Sequence, residues 1–247
     1  MANIAVHLDG LELESPYLVE GLPGIGLVGK IATDLLIEQF EMEYYASVQC
    51  EGLPKIGVYH PNDRAVKPPV RIYASEAENL LAIQSEVPIS GGGSPAFANC
   101  VTAWIEDNNI TPVYLSGHPV QDRNAEPAVF GIATGGAGSR LDDADITPPT
   151  ETGAVSGPTG ALLNKASQID LDAVCLVVQS DPQFPDPEAA ATLIRRGIEP
   201  ITGLSVDTSI LSEQAETIRE QRQQLAERLQ NAQIDESTQS RPIGMFQ

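Results

Sequence analysis

Positive charge is the first thing that this sequence lacks. Its 247 residues contain 14 lysines and arginines against 34 aspartates and glutamates, which gives a formal net charge of −20. Only four of the basic residues are lysines. A chain without a basic stripe has little with which to bind phosphate backbones or anionic lipids. We therefore expect neither nucleic acid nor a membrane surface among its partners.

Cysteine, histidine and aromatic residues are also scarce. The three cysteines, Cys50, Cys100 and Cys175, lie beside apolar residues and share no metal-ligand spacing. They are therefore expected to be reduced core residues of a cytosolic protein. The three histidines are scattered, without the close pairing of a zinc site, so neither a metal nor a cofactor is predicted.

Long hydrophobic runs are absent as well. The most apolar stretch, AVCLVV at 173–178, is far too short to span a bilayer. The first ten residues lack the charged start and the apolar run of a signal peptide. Together these features predict a soluble protein of the cytoplasm.

Acidic residues are abundant instead. At molar salt the Debye length is roughly 3 Å, so repulsion among surface carboxylates is largely screened. A net charge of −20 with few lysines suits a salt-rich cytoplasm, and we predict a halophilic protein. The alternative is an acidic protein from a cytoplasm of ordinary salt content.

Short apolar runs alternate with helical periodicity over residues 1–206, which we interpret as an α/β core domain. Strand-like runs include Val113–Ser116 and Ala173–Val178, and further hairpin-like strands lie between residues 44 and 84. Helices are expected over 27–40, 95–108, 160–168 and 187–197. The order predicts a mixed, mostly parallel central sheet with helices on both faces. Residues 134–159 are rich in Gly, Pro and Thr and are expected to form a long loop.

Residues 207–233 carry a different pattern, that of a heptad-patterned helix. Apolar positions repeat at intervals of four and three, with one arginine among them: Leu211, Ala215, Ile218, Arg222, Leu225, Leu229 and Ala232. This a/d seam predicts a coiled coil in a homo-oligomer, with contacts through Leu211, Ile218, Arg222, Leu225 and Leu229. The alternative is an amphipathic helix that lies on its own domain.

Residues 234–247 are predicted to be a flexible polar tail. The tail nevertheless ends in Met245, Phe246 and Gln247. A Met-Phe pair at a free terminus lowers solubility and has no core of its own in which to be buried. The three residues are therefore predicted to bind a partner.

The stretch GIGLVGK at 24–30 matches parts of two nucleotide-binding patterns. Gly24, Gly26 and Gly29 give the glycine spacing of a dinucleotide fold, and Lys30 adds the lysine of a P-loop. Ile31, however, stands where a P-loop has its magnesium-binding Ser or Thr. Two interpretations stay open: an anion-binding loop, or a tight turn that lets a helix pack close to a strand.

Several long stretches, taken in order, resemble the archaeal proteasome assembly chaperone family over about residues 15–200. They are VEGLPGIGLVGKIATDLLIEQF, GLPKIGVYH, LLAIQSEVPI, FGIATGGAG, GAVSGPTGALLNKA and QSDPQFPDPEAAATLI. The resemblance implies a fold similar to nucleoside phosphorylases, with a mixed sheet flanked by helices. It also implies no enzymatic chemistry, and a homo-oligomer that binds proteasome α-subunits or the assembled core particle.

The resemblance gives the last three residues a specific interpretation. Proteasome activators and some chaperones of this family end in a hydrophobic residue, a tyrosine and any residue, which enter pockets between neighbouring α-subunits. Here Met245 takes the hydrophobic place, Phe246 the tyrosine place, and Gln247 supplies the carboxylate. The alternative function is a nucleotide- or phosphate-binding enzyme, similar to ATP-grasp, carboligase or phosphorylase proteins, that uses the loop at 24–30.

Overall fold

The computed structural model describes residues 3–120 and 125–218. Its strands form an eight-stranded sheet in the order β1-β3-β4-β5-β2-β6-β8-β7. Their bounds are β1 Asn3–Val6, β2 Tyr17–Gly21, β3 Glu43–Gln49, β4 Val70–Ser75, β5 Leu80–Ser85, β6 Thr111–Pro119, β7 Val129–Thr134 and β8 Ala173–Ser180.

The sheet is mixed, as the sequence predicts, but most of its pairs are antiparallel. The central strands β5, β2, β6 and β8 pair in parallel. On one side β1, β3, β4 and β5 pair antiparallel in turn, and on the other side β7 is antiparallel to β8. The expectation of a mostly parallel sheet is therefore wrong. The hairpin-like segments between residues 44 and 84 form an antiparallel meander that widens the sheet without a crossover helix.

Helices cover both faces of the sheet. They are α1 Val28–Gln39, α2 Ser94–Asp107, α3 Gly138–Asp143, α4 Gly157–Gln168, α5 Pro187–Leu193 and α6 Glu199–Thr202, with a π-helical turn Ile194–Ile198 between the last two. Residues 209–218 are also helical. The helix α3 interrupts the segment 134–159, which the sequence predicts to be loop throughout. No helix of the described residues has the length and apolar character needed to cross a membrane.

The sheet separates two hydrophobic cores. One core joins α2 and α4 to the sheet, and the other joins α1 and α5 to the opposite face. Strand β8 contributes to both, because Cys175 and Val177 point into the first core and Val174 and Leu176 into the second. A strand that is buried on both faces reads as an unbroken apolar run, which explains AVCLVV.

The cysteines do not all remain free. Cys50, which follows β3, is joined by a disulfide bond to Cys100 in α2, and their Cα atoms lie 6.1 Å apart. The two positions are distant in sequence, but α2 packs on the face of the sheet to which Ala46 and Val48 of β3 point. Cys100 therefore comes close to the residue that follows β3. The prediction of three reduced cysteines is wrong for this pair. Only Cys175 is a free, buried thiol among the described residues.

Candidate functional site at the carboxyl edge of the sheet

Five strands end at one edge of the sheet, which we call the carboxyl edge. Strands β5, β2, β6 and β8 end there because they are parallel. Strand β3 also ends there, since two successive antiparallel pairings restore its direction. After β2 the chain continues into α1, which packs on one face of the sheet. The connection from β6 to β8 includes α4, which packs on the opposite face. A crevice at such a divergence is the usual ligand site of an open α/β sheet.

A cavity of about 690 Å³ lies at this divergence. Its walls come from the loop after β2, the end of β6, the start of β7, and the segment 147–159 that leads into α4. Proline, glycine and aliphatic side chains make up much of the lining, together with Ser116, His118 and Gln179. No lysine or arginine of the described residues lines the cavity.

The glycine loop between β2 and α1 is shaped by close contacts. Gly26 has a φ of 61°, and a Cβ atom added there would lie 1.8 Å from Ser180 Oγ. Its carbonyl oxygen accepts a hydrogen bond from the Asp186 N–H at 2.9 Å. Gly29 brings α1 against β2, with its Cβ position 3.4 Å from the Gly21 Cα. Gly26 thus allows the loop after β2 to contact the end of β8, and Gly29 allows α1 to pack against β2.

Lys30 points away from the cavity. Its Nζ lies 2.7 Å from an Asp34 carboxylate oxygen and 3.3 Å from a Glu86 carboxylate oxygen. Arg71, which is completely buried, contacts the same Glu86 at 2.5 Å and Gln84 at 3.0 Å. The ammonium group is therefore engaged in an ion-pair network that joins α1 to β4 and to the residue after β5. Lys30 is therefore not free to bind an anion at 24–30. The close contacts of Gly26 and Gly29 fit the interpretation of this stretch as a tight turn.

A buried carboxyl group lies directly behind the cavity wall. Glu20 on β2 is fully buried, and its oxygens accept hydrogen bonds from the backbone N–H groups of Leu22 and Leu115 at 3.2 and 3.3 Å. The Thr159 Oγ1 lies 3.1 and 3.2 Å from the two carboxyl oxygens. Burial raises the Glu20 pKa to about 8, although these three hydrogen bonds lower it. Glu20 is therefore mostly protonated near neutral pH.

Strand register aligns Glu20 with two further titratable groups. Glu20 pairs with Tyr114 on β6, which pairs with Cys175 on β8. Burial raises the pKa of both the Tyr114 hydroxyl and the Cys175 thiol, so neither group is ionised at neutral pH. A protonated, buried thiol is a poor nucleophile. The sequence shows only that a single acidic residue, Glu20, follows apolar residues in YLVEG. The strand register is needed to show that Tyr114 and Cys175 lie beside it.

Exposed apolar side chains are concentrated at the carboxyl edge. Eight large hydrophobic side chains of the described residues are prominently exposed, and six of them belong to loops at this edge. These six are Ile25, Leu27, Ile56, Tyr59, Val66 and Phe184. Apolar surface concentrated in this way is typical of a region that contacts another protein.

The predicted seam of the C-terminal helix begins on the chain's own domain. Leu211 is 3% exposed and packs into the core formed with α1 and α5, and Ala215 is buried as well. Ile218 is half-buried. Gln39 of α1 holds the connection to this helix, accepting a hydrogen bond from the Asp207 N–H at 2.9 Å. The first turns thus follow the alternative of a helix that lies on its own domain.

The remaining predicted contact residues lie outside the described residues. They are Arg222, Leu225 and Leu229 of the seam, and Met245, Phe246 and Gln247 of the tail. Their roles in oligomerisation and partner binding stay predictions. Within residues 3–120 and 125–218, no group of three or more His, Cys, Asp or Glu side chains is arranged to hold a metal ion.

Comparison with known proteins identifies the family. The PAC2 family profile matches residues 18–226, which is most of the chain. The chain belongs to the PAC2 family. An uncharacterized protein of Methanocaldococcus jannaschii is 27% identical over 218 residues, covering 88% of each chain. The family resemblance seen in the sequence is confirmed.

Solved structures confirm the mixed α/β fold of this PAC2 chain. Pyrococcus furiosus PbaA, an archaeal homolog of proteasome-assembly chaperone, superposes with a TM-score of 0.79 at 24% identity, covering 96% of this chain and 97% of PbaA. Pyrococcus furiosus PbaB, an archaeal proteasome activator, gives 0.77 at 22% identity, covering 91% and 98%. A Thermoplasma acidophilum protein of unknown function gives 0.72 at 23% identity, covering 91% of each. The likeness to nucleoside phosphorylases stays a prediction.

Proposed function

We propose that this chain is a proteasome assembly chaperone or core-particle-binding protein that engages proteasome α-subunits. The observation that carries the proposal is its PAC2 fold, shared over nearly the full length with a proteasome-assembly chaperone homolog and a proteasome activator. It acts by binding and not by catalysis, as a cytoplasmic homo-oligomer.

The carboxyl edge supports a binding role. Six exposed apolar side chains lie in its loops, which is a composition suited to a protein partner. The groups behind its cavity, Glu20, Tyr114 and Cys175, are buried with raised pKa values, so they hold their protons at neutral pH. The nucleotide- or phosphate-binding alternative finds a cavity of suitable size, but no lysine or arginine among its described lining residues.

The C-terminal tail supplies the second contact. Met245 and Phe246 fill a pocket between neighbouring α-subunits, and the Gln247 carboxylate is held there. Phenylalanine lacks the hydroxyl of tyrosine, so each tail makes one hydrogen bond fewer, which lowers its affinity by about 1 kcal/mol. Several tails on one homo-oligomer compensate, since simultaneous binding to a ring of pockets raises the net affinity.

Deletion of Met245–Gln247 tests the proposal. We expect the truncated protein to lose co-purification with proteasome α-subunits in molar salt, because the apolar anchors and the terminal carboxylate are removed together. Phe246→Tyr should bind about fivefold more tightly per tail, since it restores the missing hydroxyl. Gln247→Ala keeps a terminal carboxylate and serves as the matched control. Unchanged capture by the truncated protein would remove the tail from the mechanism.

A further inference from the structure

We propose that residues 54–68, between β3 and β4, form an arm that binds the acidic surface of a second copy of this chain. The arm leaves the carboxyl edge and carries its own apolar side chains and positive charge. It gives the homo-oligomer an interface that does not use the C-terminal helix.

The arm has an ordered structure of its own. The backbones of Val58 and Lys67 exchange two hydrogen bonds of 2.8 and 2.9 Å, which pairs the two sides of the arm. At its turn the Asp63 N–H donates to the His60 carbonyl at 3.2 Å, and Asp63 Oδ1 accepts from the Ala65 N–H at 2.9 Å. An ion pair of 3.1 Å joins Asp63 to Lys67 across the turn. The tip therefore has a defined shape before any partner arrives.

Both ends of the arm are anchored. The disulfide bond from Cys50 to Cys100 holds the first end against α2, and Gly52 lies so close to Gly93 that a Cβ atom would come within 2.6 Å of it. The second end enters β4 at Val70. An anchored, ordered arm loses little conformational entropy on binding, which favours association.

The arm exposes the most prominent apolar side chains of the described residues. Tyr59 is 79% exposed and Val66 is 70% exposed, while Ile56 beside them is 46% exposed. Tyrosine supplies a large contact area with few rotatable bonds and is enriched where interfaces bind most tightly. Side chains held out in this way make few contacts within the fold, so their function is expected to lie in a contact outside it.

Charge identifies the partner. The arm holds three basic residues, Lys55, Arg64 and Lys67, and one acidic residue, Asp63, so its net charge is +2. The rest of the chain carries the other 11 basic and 33 acidic residues, a net charge of −22. Lys55 and Arg64 form no ion pair with another described residue. A basic, apolar arm on an acidic body is complementary to a second copy of that body.

The C-terminal helix strengthens the choice of a second copy. Leu211 and Ala215, the first two positions of its seam, are buried against their own domain. They are not available to a neighbouring chain, so the first turns of this helix supply no contact area to the homo-oligomer of the proposed function, on which this inference rests. The arm is the part of the described chain that combines exposed apolar area with charge opposite to the body.

The oligomeric mass of the full chain tests the proposal, measured by light scattering in dilute buffer and in molar salt. We expect Tyr59→Ser with Val66→Ser to weaken association at least tenfold in both conditions, because the apolar contact is lost. Lys55→Glu with Arg64→Glu should dissociate the oligomer in dilute buffer, and molar salt should restore it, since salt screens the charges. Circular dichroism confirms that each variant is folded.

Two controls isolate the arm. Val6→Ser removes an exposed apolar side chain outside the carboxyl edge, and Arg140→Glu with Lys165→Glu makes the same change in net charge away from the arm. Both should keep the mass of the unaltered protein. A monomeric unaltered protein, or arm variants that keep its mass, would overturn the proposal. Arm variants that lose α-subunit capture without losing mass would overturn it too. Tail deletion changes capture alone, so the two proposals fail separately.

Discussion

The two faces of the sheet handle buried ionisable groups in different ways. On the face of α2 and α4, Glu20 is isolated from any cation and is held in its neutral form by burial. On the face of α1, Arg71 and Lys30 pair with Glu86, and Asp34 completes the network. Burial raises the Glu86 pKa, but attraction to Lys30 and Arg71 outweighs it and lowers the pKa overall. One face removes the charge, and the other balances it.

The two arrangements place different requirements on the residues around a buried ionisable group. A neutral carboxyl group needs hydrogen-bond donors but no counter-ion, so it tolerates the apolar surroundings behind the cavity. A balanced network must keep every partner, because a single unpaired charge inside the protein is costly. The segment 20–30 joins the two arrangements, with Glu20 at the end of β2 and Lys30 in the first turn of α1. Three predictions separate them, beginning with the largest effect.

Among the substitutions, removal of the buried guanidinium should give the largest loss of stability at neutral pH. Arg71→Leu leaves Glu86 with Lys30 alone and removes the donor to the Gln84 side-chain oxygen, so we expect the free energy of unfolding to fall by about 3 kcal/mol. Urea denaturation measures the change. Arg71→Leu with Glu86→Leu should recover part of it, since no uncompensated carboxylate remains. A double variant no more stable than the single one would show that packing, and not charge balance, holds this face.

The pH dependence of stability should separate the faces next. The Glu20 pKa rises from 4.5 to about 8 on folding, so between these values the unfolded chain releases a proton that the folded chain keeps. Stability from Glu20 is therefore complete below pH 4.5, falls by about 1.4 kcal/mol per pH unit, and is lost as the pH passes 8. Glu86 has the opposite sign: its contribution is present above pH 4.5 and is lost on acidification.

Glu20→Gln should flatten the slope between pH 5 and pH 8. The amide carries no charge in either state. Its oxygen still accepts from one of the two backbone N–H groups, of Leu22 or Leu115, and loss of the other bond lowers stability equally at every pH, so the slope is unaffected. Urea denaturation at four pH values provides the measurement, and the exposed Glu38→Gln is the matched control. Equal slopes in the unaltered protein and in Glu20→Gln would contradict a neutral Glu20.

A substitution in the connecting loop should have the smallest effect. Gly26→Ala forces a side chain to a φ of 61° and toward Ser180, so we expect a loss of roughly 2 kcal/mol in unfolding free energy. Gly24→Ala meets no atom within 4 Å and has an extended φ of −144°, so its change should stay within about 0.5 kcal/mol. Equal losses at the two glycines would show that the contact with β8 does not require Gly26.

The sequence predicted the parts of the molecule that depend on neighbouring residues. Helical periodicity identified α1, and the glycine spacing at 24–30 left a tight turn between a strand and a helix as one of two interpretations. The family resemblance, which rests on long motifs, predicted the mixed sheet flanked by helices. The proportion of antiparallel pairs was not predicted, because it depends on which strands meet across the sheet.

Features that depend on strand register or on helix docking were beyond the sequence. Glu20 gains its neighbours Tyr114 and Cys175 only when three strands align. Cys50 and Cys100 meet only because α2 crosses the end of β3. Lys30 looked like a phosphate ligand because, beside the nearby Asp34, its second partner Glu86 is distant in the chain. The heptad pattern at Leu211 could not show whether the apolar stripe faces another chain or its own domain.

The two-sided burial of β8 has a consequence for how the protein can change over time. Its backbone pairs with β6 and β7, and its side chains fill both cores, so its amide hydrogens should exchange with solvent only when the whole domain unfolds. The exposed side chains at the carboxyl edge contribute little to that protected centre. New contacts at the edge can therefore evolve while the sheet keeps its stability.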